Sequence, residues 1–302
     1  MSDTSPNETT TASSQRSVER VLIAGYGYLG RCAAKLWQNE GTNIVAVTRS
    51  DEKAGRLTEQ GVQPIVADLS AATEFDLPPV DTVLWSVGFD RSSANREAIW
   101  IDGLERLLFR LPSSVQRLIY VSSTGVYGQS DGEDVSESTV AEPVTESGKC
   151  CLKAEGLLRR WAAARTRVSV SVLRMAGIYG PNRLLRRTSD LRAGMPLPGD
   201  PDSWLNLIHV DDAAHAIVGI ARQSGTPLLN VVSRNTVTRR EYYELLARLV
   251  SAPALRFSGE PTARGGNKRV VSNAISETGL SFQFDDVAAG LHDAVERSDT
   301  VN

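Results

Sequence analysis

The stretch Gly25-Tyr26-Gly27-Tyr28-Leu29-Gly30 has the residue types and spacing to hold a diphosphate. The first glycine permits a tight turn, the second lets backbone approach phosphate oxygens, and the third lets helix and strand pack closely. Free N–H groups and a partial positive charge at the start of the following helix favour an anion there. The context fits, because the apolar run Arg20-Val-Leu-Ile-Ala24 precedes the loop and a helix-like segment follows it. A dinucleotide is therefore expected against Gly25, Tyr26, Gly27, Tyr28, Leu29 and Gly30.

The far end of that cofactor is read from the end of the second apolar run. An acidic residue there would bind the adenine ribose 2′-hydroxyl of NAD. This chain has Thr48-Arg49-Ser50 instead, and Arg49 follows Gly25 by 24 positions. A guanidinium suits a 2′-phosphate, so NADP is favoured, with NAD possible through Asp51. Arg31 stands close enough in sequence to join Arg49. Asp68-Leu69 ends the third run, where the carboxylate either meets the adenine amine or caps the turn that follows.

The elements that must position these residues are visible as short β-branched runs. They are 20–24, 43–48, 62–67, 81–87, 117–122 and 168–173. None alternates strictly, as expected of strands buried on both faces. Helical spacing fills 29–39, 51–60, 94–110 and 145–164. The alternation predicts an α/β fold, a Rossmann-type doubly wound parallel sheet with a small C-terminal substrate-binding cap. Residues 1–17 are polar and read as a disordered tail. The Rossmann domain is placed at 18–180 and a reduced substrate-binding region at 181–302, with 206–232 returning to the Rossmann domain. Further helices are expected at 210–223 and 238–250, a strand at 228–232, and two short helices within 271–296.

Composition narrows the function classes. The chain has 302 residues, 41% hydrophobic and 23% charged, with a net charge of −3. A mildly acidic balance argues against nucleic-acid binding. No apolar run approaches the roughly 18 residues of a membrane span, and a cytoplasmic location is expected. The three cysteines, Cys32, Cys150 and Cys151, form no spaced pair, and the three histidines show no zinc spacing. No metal is expected.

Several further motifs stand in a telling order: Tyr120-Val-Ser-Ser-Thr-Gly-Val-Tyr-Gly128, Lys153-Ala-Glu155, Arg174-Met-Ala-Gly-Ile-Tyr-Gly-Pro181 and Ile208-His-Val-Asp-Asp212. With the glycine loop and Asp68-Leu69, they make the chain resemble the extended and atypical short-chain dehydrogenase/reductase superfamily, in its NAD-dependent epimerase/dehydratase group. The resemblance runs from residue 20 to about 292. It implies that Ser123 hydrogen-bonds the reacting oxygen and that Lys153 binds the nicotinamide ribose. It also implies a general acid–base tyrosine four positions before Lys153, and there the chain has Lys149.

That departure is the main functional question in the sequence. Lys149 and Lys153 share a helix face, and two ammonium groups at that spacing repel. Loss of a proton would make Lys149 a base; otherwise it points to solvent or a phosphate and the usual chemistry is missing. Tyr127 and Tyr179 are the other phenols that the resemblance places nearby. A second departure is Leu205, beside Trp204, where many nucleotide-sugar members carry a diphosphate-clamping arginine. Arg183, Arg186, Arg187 and Arg192 offer either an alternative anion site or a solvated face. His209 is read as structural, with Asp211 capping the helix after it. Cys150-Cys151 is read as core or half-exposed thiols, and the acidic run 130–134 as a rim loop. Trp100 and Trp161 read as core or dimer-face residues, so a homodimer stays open.

The expected activity is that of an NAD(P)-dependent epimerase/dehydratase-like oxidoreductase on a nucleotide-sugar or related carbonyl or hydroxyl substrate. The alternative is a non-catalytic NADP-binding sensor or regulatory protein.

Overall fold

The computed structural model describes residues 19–88, 97–223, 225, 227–260 and 266–299. The tail expected at 1–17 lies outside the described residues, as do positions 94–96 of the expected helix 94–110.

Seven parallel strands form the central sheet. They are β1 (Arg20–Ala24), β2 (Asn43–Thr48), β3 (Gln63–Val66), β4 (Thr82–Trp85), β5 (Arg117–Ser123), β7 (Ser169–Met175) and β11 (Leu228–Val231). Their spatial order is β3-β2-β1-β4-β5-β7-β11. The order reverses between β1 and β4, which opens a crevice beyond the carboxyl ends of those two strands.

Strand residues alternate between two separate cores, which explains the unbroken apolar runs. Val21, Ile23, Ile44 and Ala46 face one side, packed with helices α1 (Tyr28–Asn39) and α6 (Val210–Ala221). Leu22, Ala24, Val45 and Val47 face the other, with α3 (Gly103–Arg110) and α4 (Glu146–Ala163). The remaining helix of the first half, α2 (Asp51–Glu59), is capped by Ser50, whose Oγ accepts from the Lys53 N–H at 3.4 Å. The stretch expected as one helix over 94–110 is divided, with a π-helical turn at Ala98–Asp102 before α3.

The C-terminal part builds a third core around Tyr179, Leu191, Tyr242, Leu246 and Leu291. It contains β8 (Gly177–Tyr179), α5 (Thr188–Arg192), β9 (Trp204–Leu205), β10 (Leu207–His209), β12 (Val237–Thr238), α7 (Arg239–Leu249) and α8 (Val287–Asp299). A full capping box starts α7: Thr238 accepts from the Glu241 N–H while Glu241 accepts from Thr238. Within 271–296 the structure has one 3₁₀ turn, Ile275–Thr278, and the start of α8.

The acidic run read as a rim loop is instead a strand. β6 (Asp131–Val135) pairs in parallel with β13 (Asn267–Val270), which sequence patterning did not expose. Arg269 grips Asp134 with two bonds of 2.6 Å, an exposed ion pair between the two strands. Among the described residues, no helix is long and apolar enough to cross a membrane.

Candidate functional site

The three glycines after β1 have different surroundings. Gly25 adopts φ +98°, and a Cβ there would lie 2.5 Å from the Ser86 carbonyl oxygen at the end of β4. Gly30 is equally closed, with a Cβ 2.4 Å from the Gly25 oxygen. Gly27 is different: a Cβ there meets nothing within 4 Å. Its residue is the N-cap of α1, no side chain caps that terminus, and no acidic residue occupies the first turn. The N-terminus of α1 therefore faces open space beside Gly27 with its positive dipole end uncompensated by protein.

Around this loop, Leu29 turns its side chain into the core, so only its backbone can face a ligand. Tyr26 is half-buried, and burial raises its phenol pKa. The Tyr28 hydroxyl donates to the Pro181 carbonyl at 2.9 Å, and the Arg183 guanidinium stands 5.4 Å over its ring. Arg31 Nε donates to the Gly27 carbonyl at 3.3 Å.

Asp68 accepts at Oδ1 from both the Ser70 hydroxyl (2.6 Å) and the Ser70 N–H (2.9 Å). The Ser70 hydroxyl bond, foremost, holds its carboxyl below the usual range, with the charges of Arg49 and Arg106 contributing. The carboxylate thus caps its own turn while lying within the field of Arg49. Arg106 Nη1 donates to the Leu69 carbonyl at 2.9 Å and ties that turn to α3.

Ser123 ends β5 and caps the 3₁₀ turn Thr124–Val126, accepting from the Gly125 N–H at 3.0 Å. The N-terminus of α4 is pressed against this turn. A Cβ on Gly148 would lie 2.2 Å from the Gly125 oxygen, and Thr145 caps the helix by accepting from the Gly148 N–H at 3.1 Å. These contacts fix the helix that carries Lys149 and Lys153 next to Ser123.

Each of the two lysines has a carboxylate partner. Lys149 Nζ pairs with Glu146 at 2.8 Å, and Lys153 Nζ pairs with Glu97. The Glu97 hydrogen bond raises the Lys153 pKa instead of lowering it. A carboxylate thus stands against each ammonium at that spacing.

Neither alternative phenol is accessible. The Tyr127 hydroxyl donates to Asn230 Oδ1 at 2.8 Å and accepts from Arg174 Nη1 at 2.9 Å, deep in the protein. Burial raises its pKa. Tyr179 is fully buried against His209, and burial drives its pKa far upward.

Sequence reasoning missed the buried network behind Ser123. Glu155 receives two bonds from Arg174, Nε to Oε1 at 3.1 Å and Nη2 to Oε2 at 2.7 Å, and a third from Ser122 Oγ at 2.6 Å. The Lys-Ala-Glu and Arg-Met-Ala motifs contain both partners, but their separation in sequence hid the pair. The helix cap is also corrected. His209, not Asp211, caps α6, its Nδ1 accepting from the Asp211 N–H at 3.3 Å. Its Nε2 lies 3.3 Å from Asp293 Oδ2, and Arg297 Nη1 bonds both Asp211 (2.6 Å) and Asp293 (3.0 Å). Among the described residues, His209, Asp211 and Asp293 are the group close enough together for a metal. Arg297 already supplies the positive charge there, and His209 Nδ1 is committed to a backbone donor. The arginine run is dispersed: Arg186 pairs with Asp190 and Arg192 donates to the Val250 carbonyl. Cys150 and Cys151 are buried and Cys32 is half-exposed.

Comparison with known proteins places this geometry in context. The profile of the NAD dependent epimerase/dehydratase family matches residues 21–231. Protein YeeZ of Escherichia coli strain K12 is 26% identical over 281 residues, covering 89% of this chain and 97% of that protein. A functionally unknown conserved protein from Silicibacter pomeroyi DSS superposes with a TM-score of 0.75 at 25% identity, covering 94% of this chain and 99% of its own. MoeE5, solved in complex with UDP-glucose and NAD, gives the same TM-score and identity over 93% of this chain and 99% of its own.

Proposed function

The chain belongs to the NAD dependent epimerase/dehydratase family, and on that premise we propose that it binds a nicotinamide dinucleotide across the β1–β4 crevice and acts on a nucleotide-sugar or a related carbonyl or hydroxyl compound. The open face at Gly27 carries this reading. A backbone with no side chain in the way, at an uncapped helix N-terminus, is the cradle a pyrophosphate needs. When bound, the nicotinamide would accept and return a hydride. Gly25, Tyr26, Gly27, Tyr28, Leu29 and Gly30 offer backbone to the diphosphate, and Arg31 stands beside it. Arg49 favours the 2′-phosphate of NADP, with Asp68-Leu69 supporting the adenine end. Ser123 would hold the reacting oxygen, and Lys153 would leave Glu97 to meet the nicotinamide ribose.

Titration of NADH and NADPH by fluorescence tests the cofactor part. NADPH binds more tightly, and Arg49→Ala lowers NADPH affinity by about 10- to 100-fold, the range of a charge-assisted hydrogen bond. Equal native affinities, or a preference untouched by Arg49→Ala, would refute the NADP assignment.

A second reading, an NADP-binding sensor without turnover, is favoured by one observation. Position 149 holds a lysine tied to Glu146, while Tyr127 and Tyr179 are buried. Cofactor binding with no substrate-dependent hydride transfer would favour it over the enzyme.

A further inference from the structure

We propose, on the oxidoreductase reading above, that Glu97 carries the proton in this site, in place of the tyrosine that position 149 lacks.

Glu97 immediately precedes the π-helical turn Ala98–Asp102, and its Oε1 accepts from Lys153 Nζ, 56 positions away in the chain. Two sets of contacts put this pair in the crevice. On one side the turn is anchored at the end of β4. Trp100 Nε1 donates to the Val87 carbonyl at 3.1 Å, and the neighbouring Ser86 holds the glycine loop through the Gly25 carbonyl at 2.9 Å. A Cβ on Gly103, where α3 begins, would lie 2.9 Å from the Leu69 carbonyl oxygen, so the same segment abuts the turn after β3. On the other side α4 touches the end of β5 at two points that bracket Lys153. A Cβ on Gly148 would lie 2.2 Å from the Gly125 oxygen, and Glu155 accepts from Ser122 Oγ at 2.6 Å. Ser123 lies between those two points in sequence. Glu97 therefore reaches from the β4 wall of the crevice to the α4 wall, from a π turn, a rare geometry that recurs at functional sites.

The neighbouring groups leave the proton role vacant. Ser123 Oγ accepts from the Gly125 N–H, so its O–H is left to donate to a substrate oxygen rather than to take a proton from it. Glu155 is buried under Arg174, Asp68 is held by Ser70, and Tyr127 and Tyr179 are sealed in the interior. Glu97 and Lys153 are both exposed, and an exposed ion pair is cheap to open. Once Lys153 turns to the ribose, the carboxylate is left facing the crevice. A substrate hydroxyl then gives its proton to Glu97 Oε1. The hydrogen on the same carbon leaves with its electron pair for the oxidised nicotinamide, and the O–H pair becomes the second C–O bond. In reverse, the protonated carboxyl returns the proton to the carbonyl oxygen.

The test uses the full chain with NADP and either UDP-glucose or UDP-glucuronate, reading cofactor reduction by absorbance and NADPH affinity by fluorescence. Glu97→Gln is expected to lower the reduction rate by about 10²-fold or more at an unchanged KM. Its NADPH affinity is expected to rise, because Lys153 loses the anion that competes with the ribose. Formate and acetate should restore part of the rate in Glu97→Ala, acetate more than formate, because the stronger base takes the proton more readily. Neither should help Glu97→Gln, whose amide fills the space. Glu146→Gln, which opens the Lys149 pair instead, should keep the native rate. Weaker NADPH binding in Glu97→Gln, or no rescue of Glu97→Ala by either carboxylate, would overturn the assignment and leave Glu97 as a bridge that merely positions Lys153. A native rate in Glu97→Gln would also overturn it, with the oxidoreductase reading intact. If the native chain binds NADPH but reduces no cofactor with either sugar, the oxidoreductase reading falls and the assignment falls with it. If NADPH does not bind at all, the cofactor site itself is refuted.

Discussion

Ser86 Oγ donates to the Gly25 carbonyl at 2.9 Å, tying the end of β4 to the turn after β1. The bond locks the loop at the one place where strand order reverses. The walls of the crevice are thereby fixed by Gly25 and Gly30, while Gly27 is left as its open floor.

Gly27→Val and Gly30→Val should therefore part company. The first places its methyl groups in open space at a residue with φ −93°, so the fold survives within about 1 kcal/mol, but the phosphate cradle is filled and dinucleotide binding is lost. The second drives a side chain into the Gly25 oxygen and costs at least the 1–3 kcal/mol typical of overpacking. Urea unfolding and cofactor titration on both variants check this. A folded Gly27→Val protein with native affinity would show that the phosphates lie elsewhere.

The sequence made the inner strands β1, β2, β4, β5 and β7 readable because they carry short apolar runs between two cores, and the edge strands β3 and β11 readable from their short apolar runs. The glycine loop was equally readable, since its requirements are local to six residues. What stayed hidden depends on partners far apart in the chain. β6 and β13 are polar strands joined across more than 130 residues by Arg269 and Asp134. Nothing in the acidic spacing of 130–134 could announce that partner. Glu146 and Glu97 remove the charge conflict between Lys149 and Lys153, but only the fold brings Glu97 to Lys153. The cap at His209 was missed for another reason. Aspartate is the stronger generic cap, but α6 starts at Val210, so Asp211 lies inside the first turn and His209 Nδ1 accepts from its N–H.

Glu155→Gln should be among the most destabilising single changes behind the site. It leaves Arg174 buried with its anion gone, and breaking a buried pair in this way typically costs about 3–5 kcal/mol. Pairing Glu155→Leu with Arg174→Met should recover much of the loss, because both desolvated charges disappear together. Urea midpoints measure both. A loss under about 1 kcal/mol for the single variant would mean that water reaches the pair.

Stability should fall as the solution is acidified through the histidine range. Burial, above all, lowers the His209 pKa, against the pull of Asp211, Asp293 and Asp212 and with a smaller push from Arg297. The unfolded chain therefore takes up the proton first. The contribution is fully present above the ordinary value of about 6.5 and is lost as pH falls from there through the lower folded value. His209→Asn retains a side-chain acceptor for the Asp211 N–H and does not titrate, so its melting temperature should vary less between pH 7 and pH 5. An unaltered slope would assign the acid sensitivity to another group.

On the proposed function, the residue at position 149 should set how much chemistry the site retains. Turnover by a tyrosine-dependent hydride route should be slight, since a general acid–base group typically contributes about 10²- to 10⁴-fold. Lys149 is tied to Glu146 at the exposed start of α4, one helical turn before Lys153. Lys149→Tyr should accordingly create or raise carbonyl reduction on a panel of sugars and aldehydes. Lys149→Met should leave the slow native rate where it was, and neither change should disturb cofactor binding, which the proposed function assigns to the loop at Gly27 and to Arg49. Loss of a measurable native activity in Lys149→Met would mean that the lysine itself moves the proton, despite its carboxylate partner. Brisk native turnover indifferent to that substitution would place the proton on a group other than residue 149. Tyr127 and Tyr179 could take that role only if the protein opened, because both are sealed in its interior.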